Sequence, residues 1–296
     1  MKPAPFSHLV PTTLQEALEM MGDHAAEARV LAGGQSLVPM MNFRLARPSV
    51  LVDLNLIPDL SYIDDRGDYL AVGAMARERA IENSALVRDA CPLVYDATLN
   101  IAHLPIRSRG TIGGSISNAD PAAEYPATML ALDAVMIAKS GRGERSIPAA
   151  EFFEGVLSTT LNSDEILTEI RVPKAPVDSG AAFVEICRRH GDFALAGVGA
   201  QVTMDGDSVA AVQLAACGVG PGPVRLTEAE SVLRDNSLTD EILSQAEQAA
   251  SAQVDPDGDA HASAAYRRKL AGVMTKRAVQ QAAGRAAGAV GPTANR

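Results

Sequence analysis

The sequence predicts an α+β fold in two parts, and three observations carry that prediction. In the first 175 positions, short apolar runs separated by glycine-containing turns mark strands and hairpins interspersed with helical spacings. Three more strand-like runs, near residues 182 to 188, 194 to 204 and 209 to 217, are followed only by helices, so the C-terminal part reads as a three-stranded sheet with helices. Between the two parts the composition changes at Lys174 to Gly180, where Pro173 and Pro176 end a strand and open a linker.

Each element has its own local reason. Thr13 and Glu16 have capping-box spacing ahead of Leu14, Ala17, Leu18 and Met21, which recur at helical period. Arg29 to Ser36 is a short apolar run broken by a glycine pair, and Val50 to Leu54 reads as a buried strand. Leu60 to Ile63 and Tyr69 to Ala74 alternate around the turn at Asp65 to Asp68, a hairpin. From Arg77 to about Ala102 the pattern is helical, interrupted near Pro92. Arg107 to Asp120, rich in Gly, Ser and Asn, reads as a shaped loop. Asp120 and Pro121 then start a helix to about Leu132. A second hairpin turns at Ser140 to Glu144, and Ile166 to Val172 alternates as a strand. Beyond the linker, Asp205 to Asp207 is a turn, Thr227 and Glu230 have capping-box spacing, Thr239 to Ala252 is helical, and Tyr266, Leu270, Val273 and Met274 mark a final amphipathic helix. The Ala/Gly-rich end from Gly284 to Arg296 reads as frayed.

Composition excludes several classes of function. At 296 residues with 47% apolar side chains, the chain can fill one large or two moderate cores. A net charge of −10 disfavours nucleic acid and anionic membranes, which are held by excess Lys and Arg, and the absence of Trp removes the best stacking side chain. Cys91, Cys187 and Cys217 form no CxxC, so they read as buried thiols of a reducing compartment and build neither a zinc nor an iron–sulfur site alone. No apolar run reaches signal-peptide or membrane-span length, and the expectation is a soluble cytoplasmic protein without a membrane span.

Two glycine pairs stand out, Gly33-Gly34 and Gly113-Gly114, 80 residues apart, each after apolar residues and closed by a serine, Ser36 or Ser115. Without a Cβ, such turns let backbone amides converge on an anion, and each amide to a charged oxygen contributes about 1.5 to 3 kcal/mol. Four or five amides would hold a diphosphate. The plain alternative is two ordinary tight turns. No Walker A sequence is present, and the run Gly218 to Gly222 cannot be a Rossmann turn because Pro221 and Pro223 block the helix that should follow. The histidines at 8, 24, 103, 190 and 261 stand apart, no metal site is expected, and no HExxH, GxSxG or Cys/His nucleophile pattern occurs.

Four segments in order, Ala32 to Met41, Arg109 to Ser115, Asp120 to Glu124 and Gly191 to Ala194, resemble the FAD-binding medium subunits of molybdenum hydroxylases, the family of xanthine dehydrogenase and aerobic carbon monoxide dehydrogenase. The resemblance runs from the Phe6 region to the helix of Tyr266 to Met274. It implies a PCMH-type FAD-binding domain over 1–175, made of two α/β subdomains at about 1–57 and 58–175. A C-terminal α+β flavoprotein domain over 176–285 and a flexible tail over 286–296 complete the expected organisation.

The resemblance also implies the site. Arg29, Val30, Leu31, Ala32, Gly33, Gly34, Gln35 and Ser36 would form one pyrophosphate loop, and Gly110, Thr111, Ile112, Gly113, Gly114 and Ser115 the other. Ile101 and Ala102 would line the flavin, Asn118 and Asp120 support the adenosine half, Glu124 reach a ribose hydroxyl and Leu167 pack near the adenine or ring edge. Asp120 and Glu124 have the plainer reading of stabilising a helix start. Phe193 would cover one face of the isoalloxazine where carbon monoxide dehydrogenases carry Tyr. Gln35 stands where that subfamily carries His, and both departures argue against carbon monoxide as the substrate. By the same resemblance, electrons would arrive from [2Fe–2S] clusters of a small subunit and leave to an external acceptor. A large molybdopterin subunit would hydroxylate the substrate, in a dimer of heterotrimers, and this chain would contribute no catalytic acid or base. Two alternatives differ in class: a stand-alone FAD-dependent oxidoreductase, with His190 and Glu185 as nearby acid–base candidates, and a flavin-free scaffold subunit.

Overall fold

In the computed structural model, which describes residues 1–288, the N-terminal segment forms a parallel three-stranded sheet. Strands β1 (Ser7–Leu9) and β2 (Ala28–Leu31) are joined by helix α1 (Leu14–His24), and α2 (Leu37–Asn42) leads to β3 (Val50–Asp53), which lies between the other two. The capping box forms: the Glu16 amide donates to Thr13 Oγ1 at 3.2 Å, and the Thr13 amide to Glu16 Oε2 at 3.3 Å. The helix buries Ala17, Leu18 and Met21 against Val50 and Val52. Two 3-10 turns, Leu54–Leu56 and Pro58–Leu60, carry the chain out.

A five-stranded antiparallel sheet follows. Its first hairpin is β4 (Ile63–Asp65) with β5 (Tyr69–Gly73). The helical stretch is divided into α3 (Glu78–Glu82), α4 (Ala85–Ala90) and α5 (Pro92–Asn100), with breaks at Asn83-Ser84 and Cys91. Arg107 to Asp120 is not the expected loop. Its first residue closes α6 (Leu104–Arg107) and most of the rest forms α7 (Ile112–Asn118), capped by Thr111, where Gly113 lets the helix pack closely on the turn after β5: a methyl carbon there would lie 2.5 Å from Ala74 Cβ. The next helix, α8 (Glu124–Ala131), starts later than expected. Asp120 Oδ1 accepts the Ala122 amide at 2.9 Å in a turn of its own and does not cap it.

The second hairpin, β6 (Val135–Ser140) and β7 (Gly143–Pro148), is followed by α9 (Ala149–Phe152) and a small ribbon of β8 (Phe153–Gly155) and β9 (Ser158–Thr159). Strand β10 (Ile166–Pro173) then inserts between the hairpins, giving the order β4-β5-β10-β6-β7.

The C-terminal sheet is antiparallel: β11 (Ser179–Ile186), β12 (Ala196–Asp205), β13 (Ser208–Cys217) and a two-residue β14 (Val224–Arg225), so it has four strands where three were expected. Helices α10 (Thr227–Leu233), α11 (Asp240–Gln253) and α12 (Ala264–Ala286) follow. The expected capping box at Thr227 does not form. Leu226 is the cap residue, and the Glu230 carboxylate instead accepts the Leu214 amide at 2.7 Å and the Arg225 guanidinium. Helix α12 packs closely on the sheet through small residues, since a methyl carbon at Gly180 would meet the backbone of Ala282 and Ala286. It is regular through Ala286, so the expected fraying does not begin at Gly284, and residues 289–296 of the expected tail lie outside the described residues.

Strong polar contacts tie the C-terminal sheet and helices to the elements before them. Arg285 donates to Asp96 and to the Ala181 carbonyl, the Gly218 amide to the Pro121 carbonyl at 2.7 Å, and Arg225 to the Leu130 carbonyl at 2.9 Å.

Candidate functional site

The structure brings the two glycine segments together, backbone against backbone. A methyl carbon at Gly33 would lie 2.8 Å from Gly110 Cα and closer still to the Arg109 carbonyl oxygen, so only glycine allows this approach. One at Gly114 would lie 2.7 Å from Thr111 Oγ1 and 3.6 Å from Ala32 Cβ. Gly34 adopts φ +72°, the left-handed region, which turns the chain from β2 into α2.

The two segments are not equivalent in what they offer. Among the described residues, the amides of Gly34, Gln35 and Ser36 donate to no protein acceptor. In the second segment the amides are already engaged: Gly110 with the Ile106 carbonyl, Ile112 with Ala76, Gly113 with Ala74, Gly114 with Thr111 Oγ1 and Ser115 with the Thr111 carbonyl. The first segment therefore presents free donors. The second supplies a wall, with Ser115 and the exposed Arg109 beside it.

Residues that the sequence analysis did not single out hold this arrangement. Asn55 donates to the Ala32 carbonyl at 2.9 Å and to Asp53 Oδ1 at 2.5 Å, while Arg77 donates to Asn55 Oδ1 at 2.6 Å and to the Arg109 carbonyl. Arg77 and Asn55 thus clamp the carbonyls on either side of the crevice. No local motif marks the clamp, because apart from Asp53 beside Asn55 the partners lie 22 to 32 residues away.

The remaining candidates divide by position. Val30 and Leu31 are half-buried on β2, Arg29 is exposed and donates to the Ala28 carbonyl, and Gln35 folds back onto the Gly33 carbonyl at 2.9 Å. Ile112 and Leu167 lie inside the core of the five-stranded sheet, while Asn118, the last residue of α7, and Asp120 just beyond it are half-buried. Ile101 is buried, and Ala102 is held at φ +40° with Arg107 Nη1 bonding both carbonyls, at 2.7 and 3.2 Å. A non-glycine residue fixed in that region marks stored strain of the kind that gathers at functional sites.

Phe193 is 65% exposed on the segment before β12. That segment is seated beside Ala102: Gly191, at φ +86°, lies where a methyl carbon would be 2.6 Å from His103 Nδ1, and the rings of His103 and His190 are 6.1 Å apart. The two histidines thus come together, contrary to the expectation that each stands alone. Cys91 and Cys217 are buried as expected, whereas Cys187 is only half-buried.

Acidic groups near the crevice are perturbed. Burial raises the Glu124 carboxyl well above the usual range, with the Glu185 charge adding to it, and burial pushes Glu78 up to about 7 against the pull of Arg107 and Arg77.

Known proteins match this chain over nearly all its length. A family model described as the FAD binding domain in molybdopterin dehydrogenase matches residues 4–175, and one described as the CO dehydrogenase flavoprotein C-terminal domain matches residues 181–282. The chain is 39% identical to the 6-hydroxypseudooxynicotine dehydrogenase complex subunit alpha of Paenarthrobacter nicotinovorans, covering 97% of each chain. It is also 39% identical to the caffeine dehydrogenase subunit beta of Pseudomonas sp. (strain CBB1), over 96% of this chain and 97% of the relative. Its fold superposes on a chain of carbon monoxide dehydrogenase from Hydrogenophaga pseudoflava with a TM-score of 0.93 at 36% identity, over 95% of this chain and 98% of that one.

Proposed function

This chain belongs to the family of FAD-binding medium subunits of the molybdenum hydroxylases, and from that premise we propose that it carries FAD as the electron-transfer subunit of a heteromeric molybdenum-dependent dehydrogenase. The observation that carries the reading is the crevice where Gly33 meets Arg109 and Gly110, edged by the unbonded amides of Gly34, Gln35 and Ser36. Those donors, with Arg109 and the Ser115 hydroxyl nearby, suit a diphosphate, and the cradle exists only because both faces lack a Cβ.

In this reading Arg29 to Ser36 and Gly110 to Ser115 hold the pyrophosphate. Ile101 and Ala102 line the flavin, Phe193 covers it, Asn118 and Asp120 support the adenosine half, Glu124 reaches a ribose hydroxyl, and Leu167 packs near the adenine or ring edge. Residues 1–175, in subdomains of about 1–57 and 58–175, hold the cofactor, and 176–285 close over it.

When bound, FAD accepts electrons singly and passes them on in pairs. The protein's part is to fix the dinucleotide, exclude water from one ring face through Phe193, and leave a second face open. Electrons come from the [2Fe–2S] clusters of a small subunit and pass to an external acceptor, while a large molybdopterin subunit hydroxylates the substrate. The scattered, mostly buried cysteines support a chain that receives electrons from clusters elsewhere. A dimer of heterotrimers in the cytoplasm is the expected assembly; among the described residues no helix is long and apolar enough to cross a membrane.

The test is co-purification. A tagged chain expressed with its genomic neighbours should bring down FAD, iron, sulfide and molybdenum in fixed ratio. A colourless chain that binds no partner would sink this reading.

A further inference from the structure

Phe193 stands on the segment from Cys187 to Leu195, which joins β11 to β12 and is pinned where those strands meet. The Leu195 amide donates to the Ile186 carbonyl at 2.8 Å. The buried Arg267, itself bonded to Asp259 at 2.7 Å, holds the Leu195 carbonyl at 2.7 Å and the Gly218 carbonyl at 3.1 Å. Further out the segment has weaker ties of its own: the Asp192 amide donates to the Arg189 carbonyl at 3.0 Å, and Arg188 and Arg189 reach the Asp192 carboxylate only at 3.4 Å, long contacts that solvent screens.

What meets the tip from outside is His103. A methyl carbon at Gly191 would fall 2.6 Å from His103 Nδ1 and 2.7 Å from Nε2, and closer still to Cε1 between them. Distances so alike place the Gly191 backbone over the face of the imidazole. Gly191 is also at φ +86°, so glycine is required both for the turn and for the approach. The His190 ring stands T-shaped to the same imidazole at 6.1 Å between centroids. Beneath, the backbone of His103 is fixed on both sides. Its carbonyl accepts the amides of Ile106 at 2.8 Å and Arg107 at 3.1 Å as α6 begins, and Ala102 before it is held at φ +40° with its carbonyl bonded by Arg107.

We propose that His103 is the positioning residue for Phe193: its ring is the platform that seats Gly191 and thereby sets Phe193, two residues on, against one face of bound FAD. The proposal rests on the FAD reading above and adds the device that joins the two sides of the flavin pocket, since adjacent residues line it (Ala102) and support its cover (His103). His103 acts through Phe193 and takes no part in electron or proton transfer. A functional side chain carried on a loop is only as well placed as the contacts that support it, and a tip with few of them opens locally at little cost. A flat ring suffices for the role, so phenylalanine should replace His103 and alanine should not.

The same variants are read in two ways. In the FAD-free full chain, His103→Ala and Gly191→Ala should each quicken tryptic cleavage after Arg188 and Arg189, and His103→Phe should keep the wild-type rate. In the FAD-loaded protein, His103→Ala should raise acrylamide quenching of flavin fluorescence as far as Phe193→Ala does, the double variant should go no further, and His103→Phe should quench like the wild type. Faster cleavage with unchanged quenching would make His103 a structural support alone and overturn the proposal. Additive quenching in the double variant, unchanged cleavage in His103→Ala, or a Phe variant that behaves like the Ala variant would overturn it as well. A protein that holds no FAD defeats the functional reading instead, and cleavage of the FAD-free chain, scored without the cofactor, keeps the two failures apart.

Discussion

Replacing Gly33 with alanine should loosen FAD while leaving the fold standing. The added methyl carbon would lie 2.8 Å from Gly110 Cα, where ordinary contact begins near 3.4 Å, so the crevice must open by at least half an ångström, and by more at the Arg109 oxygen. The neighbours are backbone and cannot rotate aside. Overpacking of this kind costs about 1 to 3 kcal/mol of stability. Displacing one amide from a charged oxygen forfeits about 1.5 to 3 kcal/mol, so FAD affinity should fall roughly 10- to 150-fold. The assay is titration of FAD-free chain with FAD, followed by flavin fluorescence, alongside a thermal melt. Gly22→Ala is the matched control, because nothing lies within 4 Å of that position. It should leave FAD affinity alone and stabilise α1 by about 0.5 to 1 kcal/mol. Unchanged FAD affinity in Gly33→Ala would refute the crevice as the pyrophosphate site.

Three further outcomes are expected. Phe193→Ala should leave the melting temperature within error, since the ring is largely exposed, yet raise flavin fluorescence or change its reoxidation rate; an unchanged flavin removes the covering role. Glu78 titrates at about 7 in the folded chain and near 4.5 when unfolded, so between those values the folded state holds the extra proton and stability falls as pH rises. At 1.36 kcal/mol per pH unit, Glu78→Gln should gain on the wild type by up to about 3 kcal/mol from acid to alkaline pH, and equal denaturation midpoints throughout would show the carboxyl to be solvated. Arg285→Met should cost about 3 to 5 kcal/mol by stranding the buried Asp96, read as a lower urea midpoint; a midpoint like the wild type's would mean that α12 is held to α5 by other contacts.

What was legible in the sequence was what depends on near neighbours. The Thr13–Glu16 box, both hairpins and the long C-terminal strands follow from spacings of two to four residues, and each forms, although the first hairpin's leading strand is Ile63–Asp65, displaced from the expected Leu60 to Ile63 because Pro58–Leu60 closes a 3-10 turn. The misreadings have a common cause in long-range demand. Glu230 has the right spacing to serve a cap at Thr227, but its carboxylate is taken by Leu214 and Arg225. Gly113 and Gly114 suggested a loop, yet they sit in a helix where Gly113 is required by closeness to Ala74 and Gly114 lies tight against the Thr111 hydroxyl.

The candidate site divides in the same way. Its glycines could be named from the chain alone, because glycine pairs are a local signal, but both pairs were expected to offer amides, and those of Gly110 and Ile112 to Ser115 are taken up within the protein. The Asn55–Arg77 clamp could not be named, nor could Glu78, which sits among Arg77, Arg79 and Glu82 in what reads as a solvated charged helix. Burial under Gly110 appears only when the crevice is assembled.

The central claim is that this chain relays electrons through FAD. Its most direct test is rapid mixing of the purified complex with its organic substrate while cluster and flavin absorbance are followed together. The account predicts stoichiometric FAD in this chain and cluster reduction preceding or accompanying flavin reduction. Flavin reduced while the clusters stay oxidised, or substrate turnover by a complex whose copy of this chain holds no FAD, would contradict it.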